Sequence, residues 1–326
     1  MAAIIVLIVL ALVFNFLDGF NDSSNIVATV ISSRAMSPRR ALSLVAVAEL
    51  CGPFLFGVAV ASTIGNSLIA SSAASMAVLV AAMGAACAWD VFVSLAGIPS
   101  SSSHALVGGM IGATVVASGF QALLLPGLLK VAIALFISPI IGLVMGYAFT
   151  HLVFYLARHA SMKVNRLFKR IQLVTAFILG LSHGANDAPK SMGVITLGLL
   201  SLGYLSHFQV PFWVIAIGAV AVALGTSVGG WRTIKTLGIG IFKIKPVHGF
   251  CTQAASALVI LTAALLGGPV SSTQVIGSTL LGVGSAERIN MVRWNMAGQI
   301  AIAWLLTIPA SAAIAAFLYL ILHHFL

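Results

Sequence analysis

Apolar runs long enough to cross a bilayer, which takes about 20 helical residues, recur from end to end of the chain and are separated by short polar or basic stretches. Residues 1–13 are apolar, lack a cationic lead-in, and run directly into Asn15, Asp18, Asn21 and Asp22, so they predict a first membrane segment and not a cleaved signal peptide. Polar positions inside the runs keep helical spacing. Asn15, Asp18, Asp22 and Asn25 stand at i, i+3, i+7 and i+10, and His183, Asp187 and Lys190 at i, i+4 and i+7, which is one helix face in each case. Gly19, Gly184 and Pro189 predict a break in each helix at its polar motif, where freed backbone groups would serve a cavity. Pro99 and Pro269 end two further runs. The hydroxyls behind them, Ser101, Ser102, Ser103 and Ser271, Ser272, Thr273, fall at the first turn of a short apolar helix. There they cap it or, with its free N–H groups, cradle an oxyanion.

The pattern occurs twice. Gly19-Phe20-Asn21-Asp22 matches Gly184-Ala185-Asn186-Asp187 at an offset of 165, and Pro99-Ser100-Ser101-Ser102-Ser103-His104 matches Pro269-Val270-Ser271-Ser272-Thr273-Gln274 at an offset of 170. Loop charge gives the halves opposite orientations. Arg34, Arg39 and Arg40 follow the first Asn-Asp motif, whereas 201–209 holds no Lys or Arg. Stretches 64–73 and 119–126 are free of Lys and Arg, whereas their counterparts 231–246 and 285–293 carry Arg232, Lys235, Lys243 and Lys245, and Arg288 and Arg293. A connector, 158–170, holds five more cations. Placing every basic loop in the cytoplasm accounts for 14 of the 16 Lys and Arg. The expected architecture is therefore an all-α polytopic membrane protein of two inverted repeats, 1–157 and 171–326, joined by the basic connector. It has broken or re-entrant helices, about ten crossings, and both termini outside. Inverted repeats with a site at their interface are a transporter architecture.

Composition agrees. Hydrophobic residues make up 60% and charged residues 7% of the 326, with a mean hydropathy of +1.14; a soluble domain carries about 25% charged residues. The net charge of +10 sits in clusters between apolar runs, which is the positive-inside pattern and not a nucleic-acid surface. Cys51, Cys87 and Cys251 lie in apolar segments without metal-ligand spacing. Of six acids only Glu287 falls in a loop; Asp18, Asp22, Glu49, Asp90 and Asp187 fall in or at the ends of membrane segments. A carboxylate at the bilayer centre costs roughly 2.5–3.5 kcal/mol on insertion scales, so five of them point to work done inside the membrane.

Together these motifs resemble the inorganic phosphate transporter (PiT) family: Gly19-Phe20-Asn21-Asp22-x-x-Asn25, Pro99 to Gly108, His183 to Asp187, Gly230-Trp231-Arg232 and Pro269 to Thr273. The resemblance implies a non-enzymatic secondary transporter of the plasma membrane, importing phosphate by symport with sodium or protons and requiring no cofactor besides that ion. It implies phosphate contacts at Ser101, Ser102, Ser103, Ser271, Ser272, Thr273, Asn25 and Lys190, and cation coupling at Asn21, Asp22, Asn186, Asp187 and Glu49, with sodium at Asp22 and Asp187. His104 and His183 are candidate proton-handling groups. Three positions depart from the family pattern: Lys190 stands where Asn is usual, Gln274 where His is usual, and Gln253 where a Glu is usual, while Glu49 keeps the first-half version. The Lys190 ammonium either takes the place of a bound sodium ion or snorkels to an interface and only balances Asp187.

Rival readings keep part of this. A sulfate permease shares the fold, but sulfate has no proton at neutral pH to give a carboxylate, so Asp22 and Asp187 favour phosphate, with arsenate as its look-alike. A passive anion channel fits the symmetry, but buried acids beside broken helices fit alternating access better. An intramembrane hydrolase using Ser103, His104 and Asp90 is disfavoured, because adjacent Ser and His side chains on one helix diverge and the repeat has Gln274 in place of the His. Gly108/Gly112, Gly142/Gly146 and Gly225/Gly229 mark close helix packing, within the chain or at a homodimer contact. The basic connector suits anionic lipid or a cytoplasmic regulator, though topology alone explains its charge.

Overall fold

The computed structural model describes residues 2–98, 100–161, 163–229 and 244–325. Pro99, Gly230-Trp231-Arg232, Lys235 and Lys243 lie outside the described residues. Eleven α-helices are present among the described residues. In the first half they are α1 (Ala2–Ser32), α2 (Pro38–Phe56), α3 (Ala59–Ser67), α4 (Met76–Ala96), α5 (Ser102–Ser118) and α6 (Leu125–Leu156). In the second they are α7 (Val164–Ser201), α8 (Phe212–Val228), α9 (Pro246–Leu265), α10 (Ser272–Glu287) and α11 (Trp294–Leu322). No strand occurs among the described residues, only an isolated antiparallel bridge between Ile69 and Leu123. α1, α4, α6, α9 and most of α11 are long and apolar enough to span a membrane, and α2 with α3, bent by 74°, forms a sixth such segment.

Counting α2–α3 once, ten segments are present, but four of them pair off. α4 and α5 form a hairpin whose outer ends are tied by Ala70 N–H to Ala122 O (2.9 Å) and Leu124 N–H to Leu68 O (3.0 Å). α9 and α10 form another, its outer ends tied by Glu287, which pairs with Lys245 and, at 2.6 Å, with His248. Both hairpins turn on a left-handed glycine, Gly97 (φ +68°) and Gly267 (φ +68°), a conformation that a Cβ would strain. Each return arm then starts on a serine: Ser101 accepts from His104 N–H (3.2 Å) and Ser271 from Gln274 N–H (3.4 Å).

The expected breaks at the Asn-Asp motifs are not there. α1 and α7 run unbroken through Gly19, Gly184 and Pro189. These glycines serve close approach. A Cβ on Gly19 would collide with the Val222 carbonyl of α8, and one on Gly184 with the Glu49 carbonyl of α2. Each half lays its motif helix against the other half, with α1 on α8 and α7 on α2. The return arms cross over likewise: α5 packs on α11 and α10 on α6. Gly112 abuts the Ala312 carbonyl and Gly282 the Leu143 carbonyl. Gly108 abuts Ile308, Gly142 and Gly146 meet α10, and Gly225 meets Phe16, so these small residues seat helices within the chain. Exposed Ile, Leu, Val and Phe cover α6 and α11, an outer face suited to hydrocarbon.

Candidate functional site

Crossed packing brings the two polar motifs and the two hairpin tips to one place. Asp22, 4% exposed, accepts from Ser272 Oγ (2.5 Å), Thr273 Oγ1 (2.6 Å) and Asn25 Nδ2 (3.0 Å). The first-half motif thus holds the second-half hairpin tip. Conversely, Lys190 of the second-half motif donates to Ser103 of the first-half tip and pairs with Asp187. Lys190 is fully buried, 0% exposed, which rules out the snorkelling alternative. The tips also meet each other: Ser103 Oγ donates to Val270 O (3.0 Å), and Gln274 Nε2 lies 3.4 Å from His104 Nε2.

Behind the tips, His183 bridges the halves. Its Nε2 lies 2.8 Å from Asp187 Oδ2 and 3.4 Å from Asp22 Oδ2, and its Nδ1 lies 2.9 Å from Glu49 Oε1. Glu49 also accepts from Thr226 of α8, whose hydroxyl lies 3.1 Å from Gly19 O. Asp22, His183 and Asp187 place one ligand atom each within 4.8 Å of one another, so they could share a cation if the imidazole moved aside or served as a ligand.

The two Asn residues of the motifs act as struts. Asn186 Nδ2 donates to Gly268 O (3.1 Å) at the second tip, and Asn21 Nδ2 to Asp90 O (3.3 Å) in the first hairpin, with Ser94 donating to the Asn21 carbonyl oxygen. Ser101 and Ser271 are spent as helix caps, while Ser102, Ser103, Ser272 and Thr273 face the motifs. His104 bonds Ser101 Oγ (2.7 Å) and stacks edge-on against Phe136, which places it at the tip contact and away from the His183 carboxylates. Since Ser103 donates to Val270 O and His104 turns to Ser101, which is spent as the helix cap, the Ser103–His104 pair that the hydrolase reading needs does not form.

Glu49 lies on α2, while Gln253 lies on α9, donates to Thr29 Oγ1 (3.0 Å) and accepts from Thr175 Oγ1 (2.6 Å). Thr226 and Ser94 belong to the network but carry no motif, since a single hydroxyl in an apolar helix has no distinguishing sequence context. Asp18, fully buried and bonded by Ser102, had only its helical register with Asp22 to mark it.

The model of the phosphate transporter family matches residues 18–315. A probable low-affinity inorganic phosphate transporter of Rhizobium meliloti is 42% identical over 315 residues, covering 96% of this chain and 94% of its own length. One from Bacillus subtilis is 40% identical over 323 residues, covering 98% and 97%. Among solved structures, one titled "The sodium-dependent phosphate transporter" superposes with a TM-score of 0.90 over the whole of both chains at 24% identity, a likeness of fold. With a matching model over nearly its whole length and relatives at this identity, the chain belongs to the phosphate transporter family, a group of membrane transporters and not of enzymes.

Proposed function

We propose that this protein imports inorganic phosphate by cation symport, its two halves being inverted repeats that rock about the shared site to give alternating access. One observation carries the reading: the hydroxyl-bearing tips of two hairpins from different halves converge on Asp22, Asp187 and Lys190, so each half holds the other's tip. Phosphate would replace these internal partners. Ser102, Ser103, Ser272, Thr273 and Asn25 offer donors to its oxygens, and Lys190 supplies the positive charge. Monohydrogen phosphate can also give its proton to a carboxylate, which sulfate cannot do. Asp22, Asp187 and Glu49, steadied by Asn21 and Asn186, hold the coupling cation, and His183 hands a proton between them if the coupling ion is H⁺.

Lys190 is a tethered cation. It lies against Asp187 in the manner of a bound metal ion and remains through the cycle, so the second half needs no diffusible ion to stay neutral. The relatives are named as low-affinity phosphate transporters, which agrees with the substrate, and the solved structure's title names sodium as that protein's requirement.

Uptake of labelled phosphate into proteoliposomes tests this, with sodium and proton gradients imposed separately and unlabelled sulfate in excess. Accumulation against a gradient that either cation drives, and that sulfate leaves intact, is expected. Equilibration without accumulation would make the protein a channel, and loss of uptake in sulfate would change the substrate. Lys190→Asn is expected to create a new sodium dependence; an unchanged cation profile would refute the tethered-cation role.

A further inference from the structure

Most helical glycines of this chain stand where a neighbouring helix crowds them. Gly282 abuts the Leu143 carbonyl and Gly146 the Thr279 carbonyl, so α10 lies tight on α6 there. Among the described helical glycines, two depart from this. A Cβ on Gly277 of α10 would meet only the Trp304 ring, 3.6 Å away, and one on Gly298 of α11 would meet nothing within 4 Å. Glycine weakens a helix interior relative to alanine, and close approach is no reason for it at these two positions. Both line one cavity. α11 packs mainly on α5 and α4, so its first three turns stand off α10 and leave a slot of about 440 Å³ between α6, α10 and α11. Its walls are apolar, with Pro139 and Leu143 on α6, Leu281 on α10, and Ile300 and Trp304 on α11.

The two ends of the slot differ. Thr273 lines the inner end, and its hydroxyl donates to Asp22 (2.6 Å), so the slot stops against the shared site. Trp294 lines the outer end, directly after Arg293 and the loop that begins at Arg288. Both arginines are exposed, and the positive-inside pattern puts this loop at the cytoplasmic surface. Glu287, the acid beside it, is already held by Lys245 and His248, which leaves the mouth cationic. We propose that the slot binds an anionic phospholipid of the cytoplasmic leaflet. One acyl chain lies over Gly277 and Gly298, and the headgroup phosphate sits on Arg288 and Arg293.

Size and charge both favour this occupant. From Trp294 to Trp304, α11 rises roughly 15 Å. Spread over that length, about 440 Å³ leaves a cross-section of roughly 30 Å², far below that of a helix about 10–12 Å across. A chain of methylenes enters such a slot, and a helix of a second copy does not. Basic side chains at the cytoplasmic surface attract anionic lipid headgroups, and a tryptophan beside them suits the headgroup level. The tail ends against Thr273 and so steadies the second hairpin tip. Any effect on phosphate movement rests on the function proposed above; the binding does not.

The test uses the full chain in phosphatidylcholine vesicles doped with phosphatidylglycerol whose acyl chains carry bromine, which quenches a tryptophan that it touches. Half-maximal quenching is expected at a fraction of brominated phosphatidylglycerol roughly tenfold below that needed of brominated phosphatidylcholine. The W294F/W304F variant should lose this preference. Gly298→Leu fills the slot from a position with no atom near its Cβ and should abolish it too; if that variant does not fold, Gly277→Leu carries the comparison. R288Q/R293Q should level the two lipids, while R158Q/R166Q in the connector leaves the preference whole. Equal quenching by the two lipids in the wild type, or a preference that survives in W294F/W304F, in the filled slot or in R288Q/R293Q, would each overturn the proposal. So would a Trp304 that no brominated lipid reaches because a second copy covers it. If the preference is found but no gradient accumulates phosphate, the transport reading fails and the lipid site stands. If phosphate accumulates while the two lipids quench alike, the reverse holds.

Discussion

The two halves use the same layout with opposite charge. In the first, a motif helix bearing Asp18, Asp22 and Asn25 faces a hairpin with Asp90 in its descending arm; in the second, the matching helix positions carry His183, Asp187 and Lys190, and the matching hairpin arm carries no acid. The outer ends of the hairpins differ as well. The first is closed by backbone hydrogen bonds at the Ile69–Leu123 bridge, the second by the Glu287 side chain with Lys245 and His248. The first-half acids thus lie beside cationic side chains that come from the second half, His183 against Asp22 and Glu49, while the second half pairs Asp187 with its own Lys190. What the two halves share is the packing, the caps and the turn glycines, while their charges differ.

The largest effect should come from removing the partner of a buried cation. Asp187→Asn leaves Lys190 without its carboxylate, at an expected cost of about 3–5 kcal/mol, visible as a large fall in thermal midpoint. Lys190→Asn in the same chain should recover most of it, and a double-mutant cycle with no coupling would break the contrast drawn here. Next come the backbone contacts that both halves share. Gly112→Ala and Gly282→Ala each drive a methyl into a carbonyl of the facing helix and should cost about 1–3 kcal/mol, with similar values expected for the two. Ser101→Ala and Ser271→Ala should each cost about 1 kcal/mol by loss of the N-cap.

The smallest effect separates the hairpin ends. Partial burial alone would raise the Glu287 pKa, but the hydrogen bond from Lys245 and the positive charge around it hold that carboxyl below its ordinary value. Its contribution is therefore complete above the ordinary glutamate range and is lost as pH falls through the lowered value. Lys245 is more than half exposed, so Glu287→Gln should cost under about 1 kcal/mol, and less in high salt. Hydrogen exchange should show faster opening at the ends of α9 and α10, with the backbone-tied ends of α4 and α5 unaffected by salt or by this variant.

Much of this was legible along the chain. Helical spacing put Asp22 with Asn25 and His183 with Asp187 and Lys190 on single faces, and the proline–hydroxyl pairs located both hairpin turns. These signals are local: periodicity and capping depend on residues within about two turns of one another. The breaks expected at Gly19 and Gly184 were misplaced because glycine has two physical uses, and sequence does not tell a flexible backbone from a close approach.

Composition and hydrophobic period alone determined that the chain is a helical membrane protein, since 7% charged residues place it in lipid, where only helices and closed barrels satisfy the backbone, and continuous apolar runs of about 20 residues fit helices and not alternating strands. The repeated motifs alone determined which residue types would meet at a site. Tertiary structure decided who meets whom. Only the crossing of α5 onto α11 and of α10 onto α6 sets Thr273 on Asp22 and Ser103 on Lys190. Those pairs are 251 and 87 residues apart, and no local rule reaches that far. It also decided which charges meet, because whether a buried carboxylate has a partner depends on three-dimensional distance: His183 reaches Asp22, Glu49 and Asp187, while Asp18 and Asp90 have no ion pair among the described residues.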